Sequence, residues 1–298
     1  MKRDPSWGRH GRKTVMIAAA LMISASTVLF QGVTKSVTGS AFKKTDHVPA
    51  DYAAYGSGPP QPSHSRLPEG YVEANYRVGE IDLESYRSQT PANKDMTKEA
   101  AAEIGAQALW EIYGVSLEGQ TIEMGYQQAN ESVPRSRWYA DVVVDGERKY
   151  SFSVDSVTGE LFTIGFNRVL EEEVSVDFDA ALDKHPEEYE ALAKALAEKY
   201  NIVRGAVQSA RYNGQGYINN DPSISVEIVG QNGQVALMTF SRYDKALLGI
   251  SYPPEYKSAL EYAERWMKRI QEMKEESDTP YSGRGEVPAL MKILEWKE

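Results

Sequence analysis

In this 298-residue chain the residues that come nearest to a chemical constellation are Asp155 and Glu160, which flank the pair Thr158-Gly159. Two carboxylates at a turn are a beginning of a hard-cation site, although calcium takes about six to eight oxygen ligands. The plainer reading is turn chemistry, in which the Asp side chain accepts hydrogen bonds from the amides just after it. Glu171, Glu172 and Glu173 form a second acidic run. Neighbours on an extended chain point to opposite sides, so a solvated charge run is preferred there over a calcium site. The histidines are His10, His47, His64 and His185, too scattered to converge, and H-E-x-x-H, G-x-S-x-G and a phosphate-cradling glycine loop are all missing from the sequence. With no cysteine there is no disulfide, no thiolate zinc site, no cysteine nucleophile and no lipid-anchoring cysteine. The expectation is therefore a chain with no catalytic residue, no cofactor-binding residue and no metal ligand, hence not an enzyme.

Charge is unevenly placed along the chain. Residues 1–13 carry Lys2, Arg3, Arg9, Arg12 and Lys13 against Asp4 alone. The other 28 basic and 42 acidic residues give the body a net charge of -14. An acidic body argues against nucleic acid as a partner, because phosphate contacts need clustered Lys and Arg. Residues 14–34 are uncharged, and at about 1.5 Å per residue they span a hydrocarbon core of roughly 30 Å. This predicts a single-pass anchor with residues 1–13 cytoplasmic and the bulk of the chain outside. The alternative is a cleaved signal peptide ending near Ser24-Ala25-Ser26, which would release the same body by secretion.

Residues 35–93 are rich in Pro, Gly and Ser and read as a linker. Its second half, with Tyr71, Tyr76, Val78, Ile81, Leu83 and Tyr86, is apolar enough to pack onto the first folded unit. Thr97 and Glu99 then begin a helix with Ala101, Ile104, Gly105, Ala108, Leu109 and Ile112 on one face, ended by Gly114. A mid-helix glycine on that face points to close approach of the helix to a sheet. A strand near residues 121–126 precedes three more within residues 137–166. Alternation places Trp138, Ala140 and Val142 opposite Val154, Phe152 and Tyr150 if the loop is the three residues Asp145-Gly146-Glu147, although Asp-Gly alone favours a two-residue turn. A four-residue turn, residues 156–159, brings Leu161 across from Val154.

The same unit occurs twice. A shift of 86 lays Ile224, Val226 and Ile228 over Trp138, Ala140 and Val142, and Met238 and Phe240 over Phe152 and Val154. It also lays Leu247, Leu248, Ile250 and Tyr252 over Leu161, Phe162, Ile164 and Phe166. In the helix a shift of 88 matches Ala193 to Gly105 and Leu196 to Ala108. The fold class expected is α+β: an N-terminal transmembrane helix, two tandem units of one helix on a small antiparallel sheet, and C-terminal helices. The units are placed at residues 94–170 and 175–252, with a helical segment at 253–298. That segment has Ala259, Leu260, Ala263, Trp266, Met267, Ile270 and Met273 on one face, expected to pack on the second sheet.

The first unit resembles a PepSY domain, in its helix M-T-K-E-A-A-A-E-I-G-A-Q-A-L, its strand W-Y-A-D-V-V-V, and above all Y-S-F-S-V-D-S-V-T-G-E-L with its D-x-x-T-G-E segment from Asp155 to Glu160. The resemblance covers residues 95–168, with a weaker copy at 183–252 where Ser241, Asp244 and Lys245 replace Asp155, Thr158 and Gly159. The last turn of that copy is expected to take another geometry. The resemblance implies an exported or membrane-anchored bacterial protein without catalytic activity, which inhibits or regulates a protein partner in the cell envelope, often a peptidase. The alternative drawn from the residues is a structural or peptide-binding module with exposed sheet edges.

Overall fold

The computed structural model describes residues 67–130 and 133–278. The basic tail (1–13), the expected anchor (14–34), the first part of the linker, residues 279–298, and His10, His47 and His64 lie outside the described residues. Among the described residues no helix is long and apolar enough to cross a membrane.

Two series of elements succeed one another. The first is β1 (Arg77–Glu80), α1 (Glu84–Arg87), α2 (Lys98–Tyr113), β2 (Thr121–Gln127), β3 (Arg137–Val144), β4 (Glu147–Asp155) and β5 (Leu161–Phe166). The second is α3 (Ala180–Lys184), α4 (Glu187–Lys199), β6 (Val207–Ile218), β7 (Asp221–Gly230), β8 (Val235–Ser241) and β9 (Leu247–Ser251), then α5 (Pro253–Asp278). The fold is α+β with one mixed sheet of nine strands, in the order β1-β2-β3-β4-β5-β9-β8-β7-β6.

Helix α2 begins and ends where the residue types require. Thr97 Oγ1 accepts from the Ala100 amide at 3.2 Å, a cap that contributes about 1 kcal/mol. Gly114 closes the helix at φ 67°, a conformation glycine adopts without a Cβ penalty. The buried face is Ala101, Ala102, Gly105, Ala106, Ala108 and Leu109. Small side chains let this face lie close to the sheet: a Cβ on Gly105 would stand 2.1 Å from the ring of Phe152. In the second half α4 buries Tyr189, Ala193 and Ala197, and Met238 occupies the place of Phe152.

The strand register agrees with the apolar alternation. Trp138, Ala140 and Val142 pair with Val154, Phe152 and Tyr150. The loop that achieves this differs from expectation. Val144 pairs with Glu147 around a two-residue Asp145-Gly146 turn, both residues at positive φ, and a bulge after Arg148 restores the apolar pairing. In the second half the loop does have three residues, with the Gly230 amide bonded to the Gln234 carbonyl at 2.8 Å and Gly233 at φ 79°. Asp-Gly stabilises the short turn locally, and the bulge reconciles it with core burial. A second bulge recurs at Phe162 and at Leu248, and both side chains are buried.

The largest difference from expectation is that the two small sheets are one. β5 pairs with β9 through Thr163↔Ser251, Ile164↔Ile250 and Gly165↔Gly249. Ile164 and Ile250 are equivalent under the 86-residue shift, so a pseudo-two-fold axis passes between them. Joining the halves covers two strand edges that would otherwise invite wrong partners. The interface is built close: a Cβ on Gly249 would meet the Ile164 carbonyl at 3.1 Å.

The assignment of residues 35–93 as linker needs correcting over 67–93. β1 adds to β2 in parallel, Ile81 is buried, and its amide bonds the Met124 carbonyl at 3.0 Å. Tyr71 and Tyr76 both donate to Glu103 of α2 at 2.7 Å. Tyr86 lies over Gly125, where a Cβ would come within 2.7 Å of its ring. Four residues of strand are too few for alternation to stand out from a Pro- and Gly-rich background.

The strands, α1 to α4 and the start of α5 form one compact unit, and among the described residues 262–278 belong to a second. Within the second, Lys268 and Glu272 pair across one helical turn, while Trp266, Met267 and Met273 are exposed.

Candidate functional site

Asp155, the last residue of β4, is fully buried. Its Oδ1 accepts from the amides of Val157 and Thr158 at 2.8 and 2.7 Å, the turn role expected of it. Its Oδ2 lies 2.6 Å from Arg135 Nη2, an ion contact. Glu160, on the other side of the turn, accepts from Arg135 at 2.9 Å on one oxygen and from Arg204 at 2.6 Å on the other. Gly159 supplies the left-handed residue at φ 75°. Beneath the turn Asp95 accepts from Ser156 Oγ at 2.6 Å, Ser136 Oγ at 3.2 Å and Tyr126 Oη at 2.9 Å. The guanidinium groups of Arg135 and Arg137 stand 5.1 and 4.6 Å from the centre of the Phe162 ring.

The second half solves the same problem with its charges moved. Ser241 replaces Asp155, and its Oγ accepts from the Tyr243 amide at 3.0 Å. Contrary to expectation the turn keeps its geometry, with Lys245 at φ 62° where the first half has Gly159. The acid now sits at the start of the strand: Asp221, equivalent to Arg135, accepts from Ser241 Oγ at 2.5 Å and from Arg168 Nε at 2.7 Å. Arg168 also grips both oxygens of Asp244 at 2.7 Å.

Four ion pairs among the described residues run between the halves: Arg204 to Glu160, Arg168 to Asp221 and to Asp244, and Arg137 to Glu255 at 2.8 Å. The Arg168 and Arg137 ties are arranged alike with signs reversed, though not through equivalent residues, since the 86-residue shift lays Pro254 over Arg168 and Ser223 over Arg137. The tail after β5 brings a cation to an acid at the start of β7, and the tail after β9 brings an acid to a cation at the start of β3.

On the face of the sheet away from α2, Asp141 and Glu227 are equivalent acids, each bonded to a tyrosine hydroxyl. Tyr139 donates to Asp141 at 3.0 Å and Tyr256 to Glu227 at 2.9 Å. Burial pushes the Asp141 carboxyl above the usual range, opposed by Tyr139 and Arg148.

The other expected candidates do not converge. Glu171, Glu172 and Glu173 are exposed, and Glu172 accepts from Tyr243 Oη at 3.2 Å. His185 is exposed, 3.7 Å from Glu187. Among the described residues no group of three or more His, Asp or Glu side chains is placed to hold a metal ion. The carboxylates at the turns have their oxygens occupied by amides, hydroxyls and guanidinium groups, so the arrangement fixes turns and ties two halves together.

No family model and no curated protein matches the chain. Among solved structures it is similar to the Bacillus megaterium YpeB C-terminal domain. The identity is 10%, the match covers 54% of this chain and 65% of that one, and the TM-score is 0.33. The match thus spans just under two thirds of that structure, and no residue role is carried over from it.

The residues missed in the sequence are Asp95, Arg135, Arg168, Arg204 and Asp221. For Arg135 and Asp221 a signal was close at hand: extending the 86-residue comparison three columns upstream lays Asp221 over Arg135, an exchange of sign opposite the exchange of Asp155 for Ser241.

The Arg168–Asp244 pair carries a pH prediction. Hydrogen bonds from Arg168, then the Ala246 amide, hold the Asp244 carboxyl down at about 2 against the opposing effect of burial. A carboxyl depressed on folding stabilises above its unfolded value of about 3.9 and loses that contribution as pH falls. Asp244→Asn should therefore be less stable than the parent near pH 6, by a small margin because the pair is half exposed, and the deficit should close toward about pH 2. Thermal unfolding across that range tests it; a deficit that stays constant with pH would remove the ionic explanation.

Proposed function

We propose that this chain is a non-catalytic interaction protein that acts outside the cell membrane, where it regulates or inhibits an envelope partner such as a peptidase. The observation that supports the reading is the use made of the D-x-x-T-G-E residues. Asp155 binds the turn amides and Arg135, and Glu160 binds Arg135 and Arg204, the last a tie between the halves, so the segment most specific to the PepSY resemblance is spent on scaffold. A scaffold of this kind acts through what its surfaces hold. Crosslinking the full chain in cells tests it: the expected result is a specific envelope protein, with a peptidase or hydrolase activity that changes when the chain is added. Recovery of no envelope partner would sink it, as would turnover by the chain itself that a single Asp or Glu substitution abolishes. A second reading, a structural or peptide-holding module, is favoured by one feature, the outer edge of β6, with which no strand pairs among the described residues.

A further inference from the structure

The pseudo-two-fold axis makes the two ends of the sheet comparable, and they differ in one respect. In the first half the outer edge of β2 is covered by β1, which runs parallel to it with Val78 opposite Ile122 and Gly79 opposite Glu123. The amides of Arg77 and Ile81 bond the carbonyls of Gln120 and Met124 at 2.9 and 3.0 Å. In the second half β6 takes the place of β2. Ile122 pairs with Val142, and Ala210 with Ile228, the counterpart of Val142, so Ala210 stands where Ile122 stands and Tyr212 where Met124 stands. Nothing among the described residues stands where β1 stands.

From this juxtaposition we infer that residues 209–212 of β6 are a docking edge for an extended segment of a partner protein, added in parallel as β1 is added to β2. The inference rests on the interaction reading above and names its surface.

Three observations define the occupant. The Tyr212 amide points away from β7 and donates to Glu190 Oε1 at 2.8 Å, so the donors of this edge face outward, and the occupant displaces Glu190 at this one. Ala210 is half-buried where Ile122 is fully buried, and Leu192, Leu196, Tyr200 and Tyr212 are partly buried hydrophobics packed against the same core. The smaller side chain leaves room for an apolar residue of the occupant. Arg211, in the place of Glu123, is exposed, so the next residue of the occupant is acidic. β6 is bulged between Val207 and Ser209 and between Tyr212 and Gly214. Bulges twist an edge and interrupt a ladder, which leaves a short stretch between them. That suits a segment as short as β1 and disfavours a second copy of β6, whose own bulges would have to match.

The test uses the full chain and a synthetic peptide of residues 75–82 with Gly79→Asp, which sets Val78 over Ala210 and the acid beside Arg211. The expected result is saturable binding, weakened about tenfold by N-methylation at position 79, whose amide faces the edge, and unchanged by N-methylation at position 80. Ala210→Pro, which removes an edge donor and keeps an apolar side chain against the core, should weaken binding by a similar factor. Absence of binding, equal sensitivity at positions 79 and 80, or indifference to Ala210→Pro would overturn the inference. So would a chain dimer that Ala210→Pro dissociates, which gives the edge to a second copy. Protection of the Ala210 amide from hydrogen exchange in the free monomer would give it to the chain's own residues and overturn it likewise. If crosslinking captures an envelope partner that Ala210→Pro does not release, the interaction reading survives and this edge is not its surface.

Discussion

Replacing Asp155 with alanine should lower the unfolding free energy by about 3 kcal/mol, the lower end of what is lost when one partner of a buried ion pair is removed. The side chain is fully buried, and it supports two turn amides as well as Arg135. Glu160 continues to hold Arg135 at 2.9 Å, which keeps the loss from being larger. Asp155→Ser, the residue that the second half uses, should cost less, about 2 kcal/mol, because a hydroxyl retains an acceptor for one turn amide as Ser241 does for Tyr243. Urea unfolding of the three proteins decides. Equal losses for Ala and Ser would assign the whole effect to charge, and a loss under about 1 kcal/mol for Ala would show that the ion contact contributes nothing.

Gly105→Ala is the second large effect, and its sign runs against helix propensity. Alanine gains about 1 kcal/mol over glycine inside a helix. The added Cβ, however, falls 2.1, 2.2 and 2.4 Å from three carbons of the Phe152 ring, which is itself fully buried and has nowhere to move. Overpacking of this kind outweighs the gain, for an expected net loss of about 2 kcal/mol. The second half indicates the remedy, since Ala193 and Met238 stand where Gly105 and Phe152 stand. Phe152→Met alone should cost about 1 kcal/mol, and the double variant should lose no more than that, a coupling of about 2 kcal/mol in a double-mutant cycle. A neutral Gly105→Ala, or additive losses, would refute the steric account.

Side chains record some contacts and not others, and that divides what was legible in the sequence from what was not. Apolar alternation gave the pairing of Ala140 with Phe152 and of Val154 with Leu161, because a one-residue slip would have turned a core face outward. Thr97, Gly105 and Gly114 placed a helix and its close approach to the sheet. Pairing between edges is carried by backbone groups that every residue has, so the joining of β5 to β9 left no pattern to read. The parallel strand β1 was too short to alternate. The arginine contacts join residues as far apart as Arg168 and Asp221, and no local spacing announces them. The turn role of Asp155 was recognised because it is local; the ties between halves were not.

The seam at Ile164 and Ile250 also orders events in time. Every other antiparallel pairing in the sheet joins strands adjacent in sequence, through connections of nine residues or fewer. Bringing β5 to β9 closes a far longer loop, whose entropy must be lost before the contact repays it. We therefore expect each half to organise first and the seam to form after the rate-limiting barrier. Conservative truncation there, such as Ile250→Val, would then speed unfolding and leave the folding rate nearly unchanged. Stopped-flow kinetics in which the folding limb slows instead would place the seam in the nucleus. A late-forming seam leaves each half, for a time, with a bare strand edge, a hazard to a newly made chain that three residue pairs and their flanking arginines are left to end.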